Sequence, residues 1–138
     1  MTQTLYANAK LVKGYRIDVD DGRNHAICLD LQLPSGTDMG PSALELAVMA
    51  YAGCYVTIFA LTANKMRTPI KDMEVSVEAI KTDEAETITE ASFDIKVKTD
   101  APADRVQRMH ELTIQGCPVG KIFEKAGVKM KYNVRAET

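Results

Sequence analysis

Two cysteines in contrasting settings, Cys54 and Cys117, are the residues of this chain best placed to do chemistry. Cys117 stands in Gly116-Cys117-Pro118, where a glycine ends one helix and a proline opens the next. Unpaired N–H groups and the helix dipole stabilise a thiolate at such a position, so local geometry nominates Cys117 as a nucleophile. Cys54 lies in the middle of Leu46 to Leu61, LAVMAYAGCYVTIFAL, a run without a charge. A small apolar core residue is the plainer local reading there, because free cysteine is among the most buried residue types. Cys28 sits on the second face of a strand and reads as packing. Glu45 precedes Cys54 by nine positions, about two and a half helical turns, so within one straight helix the two point to different sides. It reads as a first-turn acid that complements the helix dipole.

Other chemistries lack their residues. The sequence has no GxGxxG, no phosphate-binding Walker loop, no CxxC and no nucleophile-elbow serine. Its two histidines, His25 and His110, have no partner at metal-ligand spacing, so no metal site is expected. Seventeen Lys and Arg against nineteen Asp and Glu leave a net charge of -2, which gives no electrostatic footprint for nucleic acid or an anionic membrane. Three widely spaced cysteines do not make a secreted disulfide framework, and MTQTLYANAK has no signal-peptide pattern, so a reducing, cytoplasmic setting is expected.

The elements that must position these sulfurs follow from periodicity. With 138 residues, 46% hydrophobic and 26% charged, the chain is expected to form a single domain spanning residues 1–138. Leu5, Ala7, Ala9 and Leu11 alternate, followed by Tyr15, Ile17 and Val19. Asp20 to Asn24 make a turn, and Ile27, Leu29, Leu31 and Leu33 alternate beyond it. Pro34 to Gly40 form a loop, and Pro41 is expected in the first turn of a long helix that includes Leu46–Leu61. That run is short for a membrane span of about 20 residues, and a helix apolar on every side suits a buried axis covered by a second copy of the chain. Met73 to Ala79 and Phe93 to Val97 read as a hairpin, and Asp100 or Ala101 as the cap of a helix ending at Gly116. A short helix from Pro118 and a strand from Val128 to Val134 complete an α+β order.

GPSALELAVMAYAGCY (Gly40–Tyr55), GCPV (Gly116–Val119), CLDLQLP before the helix and KMKYNV at the end give the chain a family likeness. Over essentially its whole length it resembles the OsmC/Ohr family, the osmotically inducible and organic-hydroperoxide-resistance proteins. The resemblance implies antiparallel sheets around a long buried helix in an intertwined homodimer. It implies a thiol-dependent peroxidase acting on organic hydroperoxides, with Cys54 the peroxidatic and Cys117 the resolving cysteine, which reverses the local reading. No bound cofactor is implied, only an external thiol reductant. Leu44 stands ten residues before Cys54, where the organic-hydroperoxide branch has a glutamate, whereas Glu45 fits the Pro41…Glu45-Leu46 register of the broader branch and is the acid carried over as a catalytic candidate. The resemblance also implies an arginine near the amino-terminal strands that holds the thiolate, for which Arg16 and Arg23 are the candidates, neither on an aligned motif. Two other readings stay open: a non-catalytic or redox-sensing dimer that binds an apolar ligand, and a structural dimer with inert thiols.

Overall fold

In the computed structural model, which describes residues 2–138, the chain divides into two compact units, one up to Ala47 and one from Val48 onward. The first unit is an antiparallel sheet of β1 (Asn8–Lys13), β2 (Arg16–Asp20) and β3 (Ala26–Leu29), in that order. The Asp20–Asn24 turn forms because the carboxylates of Asp20 and Asp21 accept the N–H groups of Gly22 and Arg23.

β3 stops at Leu29, although the alternation continues to Leu33. Asp30 is the reason. Its carboxylate is buried and accepts the N–H groups of Leu31, Thr37 and Met39 and the Thr37 hydroxyl. The Leu31 N–H, which a longer strand would place in a ladder, is spent on that side chain, and the N–H groups of Thr37 and Met39 fold the following loop back onto it. The Thr37 hydroxyl, together with those N–H groups, holds the Asp30 carboxyl below the usual carboxylate range against the opposing cost of burial. Gly40 is needed beside this loop, since a Cβ there would run into the Cys28 carbonyl.

Helix α1 (Ala43–Lys65) begins two residues later than the proline suggests, because Ser42 is the capping residue. The Ser42 Oγ accepts the Glu45 N–H at 3.1 Å and a Glu45 carboxylate oxygen accepts the Ser42 N–H at 2.9 Å, a reciprocal capping box. By length and composition α1 could cross a bilayer, with a mean hydropathy of 1.8 over 18 residues. Its stripe of Tyr51, Tyr55, Phe59 and Ala63 is buried in the core of the chain. The expectation of a helix buried on every side is therefore met on one stripe only: Leu44, Met49 and Leu61 are exposed in the single chain.

The second unit carries β4 (Asp72–Ile80), β5 (Glu90–Lys98) and β6 (Lys129–Glu137), with β5 in the centre. β4 and β5 form the expected antiparallel hairpin, whereas β6 runs parallel to β5, so this sheet is mixed rather than purely antiparallel. A parallel neighbour requires a crossover, and α2 (Ala103–Gly116) with α3 (Pro118–Lys125) supplies it. α2 is capped at Pro102 without a side-chain bond, not at Asp100 or Ala101. The core joins Ala91, Phe93, Ile95 and Val97 of β5 to the α1 stripe and to Val106 and Met109 of α2.

Two outcomes test this local physics. The Asp30 carboxyl is held below its unfolded value of about 3.9, so its stabilisation is present above that pH and fades as pH falls through the folded value. Thermal melts between pH 7 and 3 should therefore show wild type losing more stability below about pH 4 than Asp30→Asn; equal acid sensitivity would contradict the assignment. Ser42→Ala should cost about 1 kcal/mol in urea unfolding through loss of the cap, with Glu45→Gln, which keeps an acceptor, costing less.

Candidate active site

Cys54 follows Tyr51 by three residues on α1 and Tyr55 immediately follows it. Because Tyr51 and Tyr55 are both packed into the core, the helix cannot rotate, and Cys54 is fixed on the adjoining half-buried face. Cys117 is supplied by the corner between α2 and α3. It is at once the residue after α2 and the N-cap of α3, with extended backbone at φ -82° and ψ 106° and Pro118 at the first helical position. The corner brings Cys117 Sγ to 3.0 Å from Cys54 Sγ, across 63 residues of sequence. The same sulfur accepts the Gly120 N–H at 3.4 Å, a capping bond made by a thiol.

The protonation of Cys117 is opposite to the local expectation. The N–H groups of Gly120 and Val119 do favour a thiolate, but burial is the largest influence, and the hydrogen bond to Cys54 adds to it. The thiol is pushed up to about 11. At neutral pH Cys117 is therefore an S–H donor and Cys54 Sγ is the acceptor. A helix N-terminus activates a cysteine that water can reach; this one is sealed, at 1% exposed.

Behind the sulfurs lies an aromatic cluster that the sequence does not single out as a unit. The Tyr51 ring packs edge-on to Phe93 at 4.6 Å and against Phe123 at 4.7 Å between centroids. Its hydroxyl lies 2.7 Å from the Tyr132 hydroxyl and 2.8 Å from Met130 Sδ. Tyr55 places its hydroxyl 2.6 Å from His110 Nδ1, and the His110 ring stands edge-on to Tyr132 at 5.0 Å. Burial lowers the His110 pKa and raises those of all three tyrosines, so imidazole and phenols are neutral near pH 7. His110 and Tyr55 thus satisfy one another inside the core. The signal in the sequence was the spacing of Tyr51 and Tyr55, four apart, together with the inward alternation of Met130 and Tyr132.

The remaining candidates belong to the first unit. Glu45 is engaged in the α1 cap and borders a groove with Leu31, Leu33 and Ser42. Arg23 lies on the surface 3.6 Å from Asp21, while Arg16 keeps a buried Nε that has no hydrogen-bond partner among the described residues. Cys28 is half-buried in β3 and directs its thiol weakly at the Leu29 carbonyl, 3.7 Å away. Among the described residues, no three His, Cys, Asp or Glu side chains gather as a metal site.

Solved structures share the fold over nearly the whole chain. The OsmC-like protein of Mycoplasma pneumoniae superposes with a TM-score of 0.90 at 15% identity, covering 100% of both chains. An organic hydroperoxide resistance protein from Elizabethkingia anophelis gives a TM-score of 0.78 at 15% identity, over 100% of this chain and 99% of that one. OhrB, the organic hydroperoxide resistance protein of Bacillus subtilis, gives 0.65 at 19% identity, over 96% and 98%. No curated protein matches the chain in sequence. The family model described as OsmC-like protein matches residues 36–133, a stretch that holds both Cys54 and Cys117. The chain belongs to the OsmC-like family, in which peroxidase activity is common.

Proposed function

We propose that this protein is a thiol-dependent peroxidase that reduces organic hydroperoxides with Cys54 and Cys117. The observation that carries the reading is the approach of the two sulfurs to 3.0 Å, with the buried Cys117 thiol as donor and the half-buried Cys54 as acceptor. The likeness to organic hydroperoxide resistance proteins supports the choice of substrate class.

In this mechanism the Cys54 thiolate attacks the distal oxygen of a hydroperoxide. The O–O bond breaks, an alcohol leaves after taking up a proton, and Cys54 becomes a sulfenic acid. Cys117 then attacks the sulfenic sulfur as its S–H proton passes to the departing hydroxyl. The S–O bond breaks, water leaves, and a Cys54–Cys117 disulfide forms. An external thiol reductant returns the pair to two thiols by exchange, its own thiols being oxidised in turn. Burial suits Cys117 to the second role, because a thiol held protonated does not compete for the peroxide. The neutral His110 and tyrosines take no part in proton transfer in this scheme. Glu45 enters as the cap of the helix that carries Cys54, and its carboxylate charge is tested apart from the cap by Glu45→Gln.

The proposal includes a second copy of the chain. The first unit leaves β1 exposed along its whole length, with Leu5, Leu11, Leu33 and Met39 each more than 60% exposed. In the second unit the outer side of α1 presents Ala50, Gly53, Thr57 and Ala60 between Met49 and Leu61. Small residues at helical spacing allow close approach of another backbone, and apolar surface of this extent marks an interface.

Three outcomes follow. Cys54→Ser should abolish turnover of cumene hydroperoxide with a dithiol, while Cys117→Ser should still release one equivalent of alcohol and leave Cys54 trappable by dimedone; loss of that first oxidation in Cys117→Ser would reverse the roles. With iodoacetamide at pH 8, where a thiol titrating at about 11 is ionised in roughly one molecule in a thousand, Cys54 should be labelled first. Labelling of Cys117 should rise about tenfold per pH unit until pH nears that value, and faster labelling of Cys117 at pH 8 would contradict the assignment. Sedimentation at micromolar concentration should show a dimer, shifted towards monomer by Ala60→Arg; a wild-type monomer would remove the second copy from the scheme.

A further inference from the structure

The resolving cysteine owes its position to a feature of α1 other than Cys54. Cys117 caps α3, and Gly120, the third residue of that helix, donates the N–H that holds the Cys117 sulfur. Gly120 packs against the hydroxyl end of the Tyr51 ring: a Cβ built there would stand 3.1 Å from Tyr51 Cε1, 3.2 Å from the hydroxyl oxygen and 3.3 Å from Cζ. Such contacts are a few tenths of an ångström too close, so either the ring or the helix turn must give way.

The ring is the less able to move. Tyr51 is 2% exposed, wedged between Phe93 and Phe123, and pinned at its tip by Tyr132 and Met130. A displaced ring would have to break those contacts, whereas the first turn of an eight-residue helix can lift. Lifting it carries the Gly120 N–H and the Cys117 Sγ away from α1. One helix thus provides both the reactive sulfur, Cys54, and, three residues earlier, the floor that sets the height of its partner sulfur.

We propose that Tyr51 and Gly120 are a positioning pair that holds Cys117 within bonding reach of Cys54 and thereby sets the rate and stability of disulfide closure. The proposal rests on the peroxidase reading for its role in turnover. The step it governs is Cys54–SOH plus HS–Cys117 giving the disulfide and water: the S–O bond breaks, the S–S bond forms, and the thiol proton leaves with the hydroxyl. Neither residue touches the peroxide, so closure of the disulfide is the step the pair governs.

The test uses the full chain as wild type, Gly120→Ala, Tyr51→Leu, the double variant and Tyr51→Phe, read in two ways. Equilibration in glutathione redox buffers, without peroxide, gives the stability of the Cys54–Cys117 disulfide. One equivalent of cumene hydroperoxide with dimedone present gives the partition of Cys54 between adduct and disulfide. Gly120→Ala should weaken the disulfide about tenfold, a potential about 30 mV more oxidising, and move Cys54 towards the adduct. Tyr51→Leu removes the ring tip that the added methyl meets, so adding Gly120→Ala to it should change neither readout further. An effect of Gly120→Ala that persists undiminished in the Tyr51→Leu background, or no effect in wild type, would overturn the proposal. If Gly120→Ala does not fold, Tyr51→Phe decides: loss of the tip anchor should shift both readouts in the same direction by two- to threefold, and wild-type values would overturn the pair. A wild-type Cys54 that ignores peroxide while the glutathione potentials still move as stated would refute the peroxidase reading and leave the positioning pair standing.

Discussion

The packing of Tyr51 and Tyr55 into the sheet of the second unit is the constraint on which the cysteine pair depends. Burial of a large side chain contributes about 1.5–3 kcal/mol, and two aromatic residues one helical turn apart fix both the rotation and the height of α1. The polar contacts at the sulfurs are weaker: a neutral hydrogen bond contributes about 1 kcal/mol net. An S–H···S contact cannot drag a 23-residue helix into place, so it is the consequence of packing and not its cause. The crossover imposed by the parallel pairing of β5 and β6 then delivers the α2–α3 corner, and with it Cys117, to that fixed helix.

A second consequence of packing is the contrast in environment between two chemically identical groups. Cys117 has the helix terminus that ordinarily makes a cysteine acidic, yet it is sealed from water, and desolvation outweighs two backbone N–H groups. It becomes a proton-bearing thiol. Cys54 has no helix terminus, sits mid-helix on a half-exposed face and receives the S–H of Cys117. In the proposed mechanism this difference in environment, rather than a sequence motif, is what gives attack to one sulfur and closure to the other. The same burial keeps the neighbouring phenols and imidazole neutral.

Much of the fold was legible because its determinants are local. Period-two alternation located β2, β4 and β5, Gly116 and Pro118 marked the α2–α3 corner, and the charge-free run located α1. β3 is shorter than its alternation suggests because alternation through Leu33 says nothing of where backbone N–H groups go, and Asp30 takes that of Leu31. The parallel register of β6 was not legible, since the partner of a strand is chosen by the whole topology. For the site, both cysteines stood out, but their roles could not be read from one chain segment: the burial that decides Cys117 comes from residues far off in sequence. Tyr51 meets Tyr132 across 81 residues and Tyr55 meets His110 across 55, so the cluster that positions the sulfurs leaves no local pattern.

The central claim is that Cys54 and Cys117 form one redox pair driven by an organic hydroperoxide. The most direct measurement is the intact mass of the reduced protein after one equivalent of cumene hydroperoxide, followed by a peptide map. A loss of two hydrogens, with the Cys54 and Cys117 peptides joined and Cys28 free, is the predicted result. An unchanged mass with both thiols free would contradict the account, and turn attention to an apolar ligand as the occupant of this family fold.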